Sequence, residues 1–164
     1  MNQKFLEELR HEAKVTEKML ERVPEEKFSW QPHEESMSLL ALASHLVDVP
    51  GWIVPTLQLP ELDFATTNFK SEMPTNTTEL VEKHRRNVKM ATEALQAATD
   101  AQLHQNWKMR NGEMLYFEMP RALVLRNTIF NHLYHHRGQL SVYLRLCGVS
   151  LPPVYGPTAD ESGL

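Results

Sequence analysis

An all-α fold, an up-down four-helix bundle with a short β-hairpin before the last helix, is the class this sequence predicts. Three observations carry that expectation. Four segments repeat their apolar residues at intervals of three and four, the spacing of one helix face. A hairpin-type turn pair, Asn111-Gly112, stands between two short runs with some aromatic content. The 164 residues suffice for one domain, positions 1–164, with a sizeable core, and are too few for two comfortable ones.

The first helix is expected over about 2–22. Phe5, Leu6, Leu9, Ala13, Thr16, Met19, Leu20 and Val23 form its stripe, and Pro24 stops it. Positions 25–38 read as an irregular connector in which Trp30 packs down as an anchor. A second helix begins near Ser36 or Met37 and reaches about Leu59. Pro50 and Pro55 lie inside it; each lacks an N–H and clashes with the carbonyl four residues back, so a kink is expected between Val47 and Gly51. Positions 59–74 read as a long loop. In the third helix Asn76 can cap, with Glu79 at capping-box spacing, and Val81, His84, Val88, Ala91, Leu95 and Ala98 make the seam. The fourth helix starts near Pro120 and runs to Cys147, with Gly148 as its stop. The tail after it, rich in proline, is expected to be extended.

Composition narrows the function. Apolar residues make up 41% and charged residues 23%, an ordinary soluble globular profile. A net charge of -4 gives no long-range attraction to phosphate backbones, so no nucleic-acid partner is expected. No run of 18 apolar residues occurs, so neither a membrane span nor a membrane partner is expected. The N-terminus is charged and amphipathic from the start, without a signal-peptide core. Cys147 is the only cysteine; intrachain disulfides are impossible, and a cytoplasmic setting is expected.

The chemistry-bearing stretch is Asn131 to Leu140, "NHLYHHRGQL". Eight histidines give some pair four apart by chance about a third of the time, so His132 and His136 need more than their spacing. Their helix face supplies it. With His132 at zero on a straight α-helix, His136 falls at about 40°, among Leu125 and Tyr143 at about 20°, Ile129 at about 60° and Leu140 at about 80°. On the second helix His45 lies amid Leu42, Val49 and Trp52. Three imidazoles thus point from two helices into one core. Each ring could be a separately satisfied core residue, but few buried carboxylates are available to satisfy three. One divalent cation satisfies all three, and three protein ligands leave a fourth position open, the pattern of a catalytic site. His84 lies on the third helix's seam with nothing to pair it and reads as an ordinary core histidine. His11, His33 and His104 read as surface or loop residues.

"LASHLVDVPGW" (Leu42 to Trp52), followed by "NHLYHHRGQLSVYLRLCGVSLPPVYGP" (Asn131 to Pro157), resembles the DinB/YfiT-like family of metalloenzymes. The resemblance runs from the first helix to about Glu161 and implies a four-helix bundle with a histidine triad. One ligand place falls on His45, and the HxxxH pair running into HRGQ falls on His132 and His136. It implies a divalent metal cofactor (zinc, nickel or iron, each suited by imidazole) and a small-molecule substrate. Members include thiol-dependent S-transferases of the bacillithiol type and mycothiol-dependent isomerases, so a low-molecular-weight thiol is a second candidate cofactor. A metal-dependent hydrolase uses the same site with a general base; Asp48, His135 and Glu118 are candidates. A non-catalytic, metal-stabilised bundle is the third reading. A homodimer is expected.

Around the triad, Asp48 at about -60° from His45 can reach the site's edge or hold an imidazole tautomer. Gln139, at about -20°, stands beside His132 and can hydrogen-bond in the site. Arg137 is expected to pair with a carboxylate in another helix or the tail. Gly138, on the far side, suggests close backbone packing, and Cys147 is read as core.

Overall fold

α1 (Asn2–Leu20) buries Phe5, Leu6, Leu9, Ala13, Thr16, Met19 and Leu20 on one face, as its stripe predicts. It belongs to a computed structural model that describes residues 1–67 and 72–162. Positions 68–71 of the predicted long loop and 163–164 of the predicted tail lie outside the described residues. After α1 the chain passes Pro24 into a 3₁₀ turn, Glu25–Lys27. The connector then does two jobs. Its carbonyls at Trp30 and Phe28 accept from the amides of Leu39 and Leu40 (2.8 and 3.1 Å), satisfying the start of the next helix. Trp30 meets Tyr143 edge-on at 5.6 Å, the anchor expected of it.

α2 (Leu39–Asp48) is capped by Ser38, whose Oγ accepts from the Ala41 amide. The kink expected around Pro50 takes the form of a 3₁₀ turn, Val49–Trp52, after which α3 (Ile53–Gln58) resumes. Leu39–Gln58 is long and apolar enough to pass a length-and-composition test for a membrane span, although it contains no unbroken run of 18 apolar residues. More than half of its apolar window is buried among the other helices, so its apolarity is that of a core element.

The predicted loop at 59–74 contains a strand. β1 (Glu61–Asp63) pairs in parallel with β2 (Asn106–Asn111), which pairs antiparallel with β3 (Met114–Pro120). The hairpin is therefore the larger part of a three-stranded sheet in the order β1-β2-β3. Three residues are too few to show alternation in sequence, which is why β1 is invisible there. Gly112, at φ +58°, supplies the left-handed residue of the hairpin turn.

α4 (Thr77–Ala97) begins at Asn76, whose Oδ1 accepts from the Glu79 amide at 2.8 Å. Glu79 reaches back one residue beyond the usual capping box, to the amide and hydroxyl of Thr75. A short α5 (Asp100–Leu103), capped by Thr99, leads into β2. Pro120 ends β3 and precedes α6 (Arg121–Val124); a π turn, Leu125–Phe130, joins it to α7 (Asn131–Leu146). Gly148, at φ +77°, terminates α7. The π turn changes the helical phase before α7, while angles drawn from His132 hold along α7. Leu125 and Ile129 are buried as the stripe predicts, and Val124 and Phe130 are buried with them.

The bundle consists of α1, the α2–α3 pair, α4 and the α6–α7 run, with α1 and α2 each packed on both α4 and α7. Its main core is aliphatic, with a Phe5–Phe130 stack at 5.6 Å. A smaller core of Leu62, Trp107, Met109 and Val124 lies under the sheet. Trp52 packs against both.

Arg137 is buried and forms an ion pair with Glu12 of α1 at 2.6 Å, and it also donates to Tyr155 in the tail. The expected carboxylate is the one on another helix, Glu12; the tail adds a hydroxyl, that of Tyr155. Gly138 corrects its expectation: it is exposed, and a Cβ there would meet nothing within 4 Å. Among the described residues no close approach requires glycine there. Gly138→Ala should therefore raise the unfolding free energy by about 0.5–1 kcal/mol, read by urea denaturation. Cys147 is half-buried at the edge of the core rather than inside it.

Candidate metal centre

α2 and α7 pack side by side, and this contact brings His45 to the pair on α7. His132 and His136 are one turn apart on α7, so their side chains lie over the same patch. The three rings meet through one set of atoms. Nε2 of His45 is 3.2 Å from Nε2 of His132, and Nε2 of His136 is 2.6 Å from the same atom. One nitrogen from each residue lies within 4.8 Å of the other two, so the group could hold a metal ion. His136 is buried; His45 and His132 are half-buried, so the cluster is reached from solvent on one side.

The far nitrogens decide the proton positions. Nδ1 of His132 is 3.2 Å from the Thr128 carbonyl, which can only accept. Nδ1 of His132 therefore carries the proton, and its Nε2 presents a lone pair. Nδ1 of His136 is 2.7 Å from Oε1 of Gln139, with the same consequence. Two lone pairs then face each other at 2.6 Å, an arrangement that repels unless a cation shares it. Donors around a tetrahedral ion at 2.0–2.1 Å stand about 3.3–3.4 Å apart, close to the His45–His132 separation. An ion there would spread the His132–His136 pair by about 0.8 Å or less. The donor set fits a divalent ion of the zinc, nickel or iron kind, and the two Nδ1 bonds are the outer support such ligands use.

The electrostatics agree. Burial is the main influence on all three rings and holds each pKa below the ordinary 6.5. Neighbouring imidazoles push the same way: His136 on His45, His45 on His132, and His132 on His136. All three are therefore neutral near pH 7, the form that ligates. Buried His84 is lowered too, chiefly by desolvation. For groups with depressed folded pKa values the unfolded chain takes up protons first as pH falls. Their contribution to stability is full above the unfolded value of about 6.5 and is lost as pH drops through the lower folded values. The urea midpoint of the metal-free protein should fall steadily from pH 7 to pH 5. A midpoint flat across that interval would contradict the neutral cluster.

Gln139 lies in the site, and its partner is His136 rather than His132. Asp48 pairs with Lys83 at 2.9 Å and raises the His45 pKa against the stronger effect of burial. The His135 ring is exposed and stands edge-on to His136 at 4.9 Å, on the rim. Glu118 lies on exposed β3 and pairs with Lys108 at 3.5 Å. Two contributors escape a sequence reading, and a third, Trp52, is placed beside His45 by its helix face but not beside His132. The Thr128 carbonyl orients His132, and only the helix geometry reveals it. Trp52 is edge-on to both His45 (6.4 Å) and His132 (6.2 Å) and sets apolar surface beside the cluster. The π turn immediately before α7 sets the phase at which His132 emerges, a device common beside functional sites.

The DinB family model matches residues 1–163. The protein YrdA of Bacillus subtilis (strain 168) is 26% identical over 167 residues, covering 96% of this chain and 89% of YrdA. The crystal structure of a DinB-like protein from Bacillus cereus ATCC 10987 aligns with a TM-score of 0.72 at 28% identity, covering 92% of this chain and 95% of that one. The DinB-like protein YjoA of Bacillus subtilis aligns with a TM-score of 0.73, covering 93% of this chain and 97% of that one; at 20% identity it speaks for the fold alone.

Proposed function

Because this chain belongs to the DinB family, we propose that it is a divalent-metal-dependent enzyme of the thiol-dependent S-transferase type, with His45, His132 and His136 as ligands. The convergence of two Nε2 lone pairs at 2.6 Å, each fixed by a proton committed elsewhere, carries the reading. A divalent ion held there supplies a Lewis acid that favours the deprotonated, nucleophilic form of a thiol cofactor. The chain's own residues do the rest. The Thr128 carbonyl and Gln139 keep the ligating nitrogens unprotonated. Trp52 excludes water from one side. His135, exposed on the rim, is placed to move a proton as the thiol enters or the product leaves.

The hydrolase reading needs a general base within reach of a water at the open position. Asp48 and Glu118 are engaged by Lys83 and Lys108, which leaves His135 as the remaining group for that task. The thiol reading asks less of a base: a thiol bound to such an ion would be acidic enough to give its proton to solvent or to His135, with no group held against a bound water, and it is preferred for that reason.

The test is consumption of monochlorobimane by untagged protein of measured metal content, with bacillithiol, glutathione, cysteine and coenzyme A offered in turn. Metal-dependent acceleration by at least one thiol is expected; none with any of the four removes the transferase assignment. Gln139→Leu, which leaves the His136 Nδ1–H without an acceptor, should weaken metal affinity by about 10–100-fold in a competition titration with a chelator.

A further inference from the structure

The solvent side of α7 differs from those of α1 and α4. α1 exposes charges such as Glu7, Arg10 and Lys14, and α4 exposes Glu82, Arg86 and Glu93. On α7 the exposed residues are Asn131, His135, Gly138, Gln139, Val142 and Leu146, with Arg145 paired to Asp160. No Asp or Glu stands between Glu118 and Asp160, in a chain that has 21 of them. Val142 and Leu146 are 56% and 60% exposed and belong to neither apolar core. A helix side without charges that shows large apolar side chains to water marks a contact surface. Its shape is specific. With His132 at zero, His135, Gly138, Val142 and Leu146 fall at about -60°, -120°, -80° and -40°, one stripe about 80° wide. Gly138, Val142 and Leu146 make one ridge, each four residues from the next. On one side of Val142 the ridge has a gap, since a Cβ on Gly138 would meet nothing within 4 Å. On the other side, at the same distance of about 6 Å along the axis, the Leu146 side chain projects.

A ridge with a gap and a projection equally far from its centre complements itself when turned end for end. We propose that α7 pairs antiparallel with α7 of a second copy, about a two-fold axis at Val142, so that Leu146 of each copy lies over Gly138 of the other. Two observations make the occupant a second copy. The match is isologous: one patch supplies both the projection and the gap. And two chains of net charge -4 repel across their acidic surfaces, whereas this side brings no acid to the contact. The pairing also gives the mid-helix glycine a use, the close approach of the partner's leucine. His135, on the rim of the metal centre, belongs to the same stripe, so the second copy stands beside the cluster.

Sedimentation equilibrium of the full chain tests it. A monomer–dimer equilibrium with Kd below about 100 µM is expected. Val142 faces itself across the axis, so Val142→Glu and Val142→Lys should each weaken the dimer at least about tenfold, and mixing the two should restore a mixed dimer. Circular dichroism checks that both variants keep their helices, as substitutions at an exposed position should. Gly138→Ala favours the helix itself but crowds the partner's Leu146, and should weaken the dimer at least about fivefold. Its gain in urea is therefore read at a concentration where the chains are apart. A wild type still monomeric at about 500 µM, a Val142→Glu variant that dimerises like the wild type, or charge variants that do not recombine on mixing would each overturn the pairing. Unchanged association of Gly138→Ala would overturn the seating of Leu146. Mass is read without thiol or turnover, so the dimer and the transferase chemistry fail independently.

Discussion

His132→Ala should remove stoichiometric metal from the protein without unfolding it. Its Nε2 is the atom that both other nitrogens approach, at 3.2 Å to His45 and 2.6 Å to His136. Without it the two remaining imidazoles, on different helices, form at best a two-ligand site. Little else depends on that ring. It is half-buried, its one other hydrogen bond among the described residues is to the Thr128 carbonyl in the π turn before α7, and the aliphatic core of the bundle does not include it. In the metal-free state the substitution should cost little, because it removes a repulsive lone-pair contact along with the ring. Metal should raise the stability of the wild type by about 2.7 kcal/mol when free ion stands at 100 times Kd, and should do nothing for the variant. Elemental analysis and thermal melts with and without a chelator read both effects. Full metal content in His132→Ala, or an equal response to metal in both proteins, would detach the cluster from metal binding.

Arg137→Ala should destabilise the fold by about 3–5 kcal/mol, a large share of the roughly 5–15 kcal/mol that holds a domain of this kind together. The Arg137 and Glu12 side chains are only 3% and 7% exposed, and their charges meet at 2.6 Å. Arg137 also donates to the hydroxyls of Thr16 and Tyr155 and to the Glu12 carbonyl, and Tyr155 donates to Glu12 at 2.9 Å. Removing the guanidinium strands a buried carboxylate and loosens the tail from α1 together. Replacing both charges with apolar side chains of similar size, Glu12→Leu with Arg137→Met, should recover most of the loss, because no unpaired charge then remains. Urea denaturation of the two single variants and the double variant completes the cycle. Losses that simply add would show that the charges do not act as a pair. The variant's effect on metal content should be small, since Arg137 faces α1 and the tail while its neighbour His136 faces α2.

Much of this was legible from the amino acids because it depends on local, periodic physics. The helical stripes require only that apolar side chains avoid water at 3.6 residues per turn. The Asn76 cap, the Pro50 break and the Gly112 turn follow from backbone chemistry at single residues. The pairing of His132 with His136 is a consequence of one helical turn, and the placement of His45 on an apolar face pointed it at the same interior. What required the tertiary structure is whatever depends on a partner distant in sequence or on helix phase. β1 exists only because β2 runs beside it; three residues carry no pattern of their own. The π turn moves the upstream part of the last helix out of the phase that a straight wheel assigns. Gly138 faces solvent, although its identity and its place on the far side of the helix suggest close packing; neither tells a packed glycine from an exposed one. The angle from His45 puts Asp48 at the site's edge, but Lys83, 35 positions on and outside the predicted seam, holds its carboxylate. The sequence determined which side chains face inward; the packing of α2 on α7 decided that three of them share a point less than 5 Å across, because convergence is a property of the distance between helices and no single helix carries it.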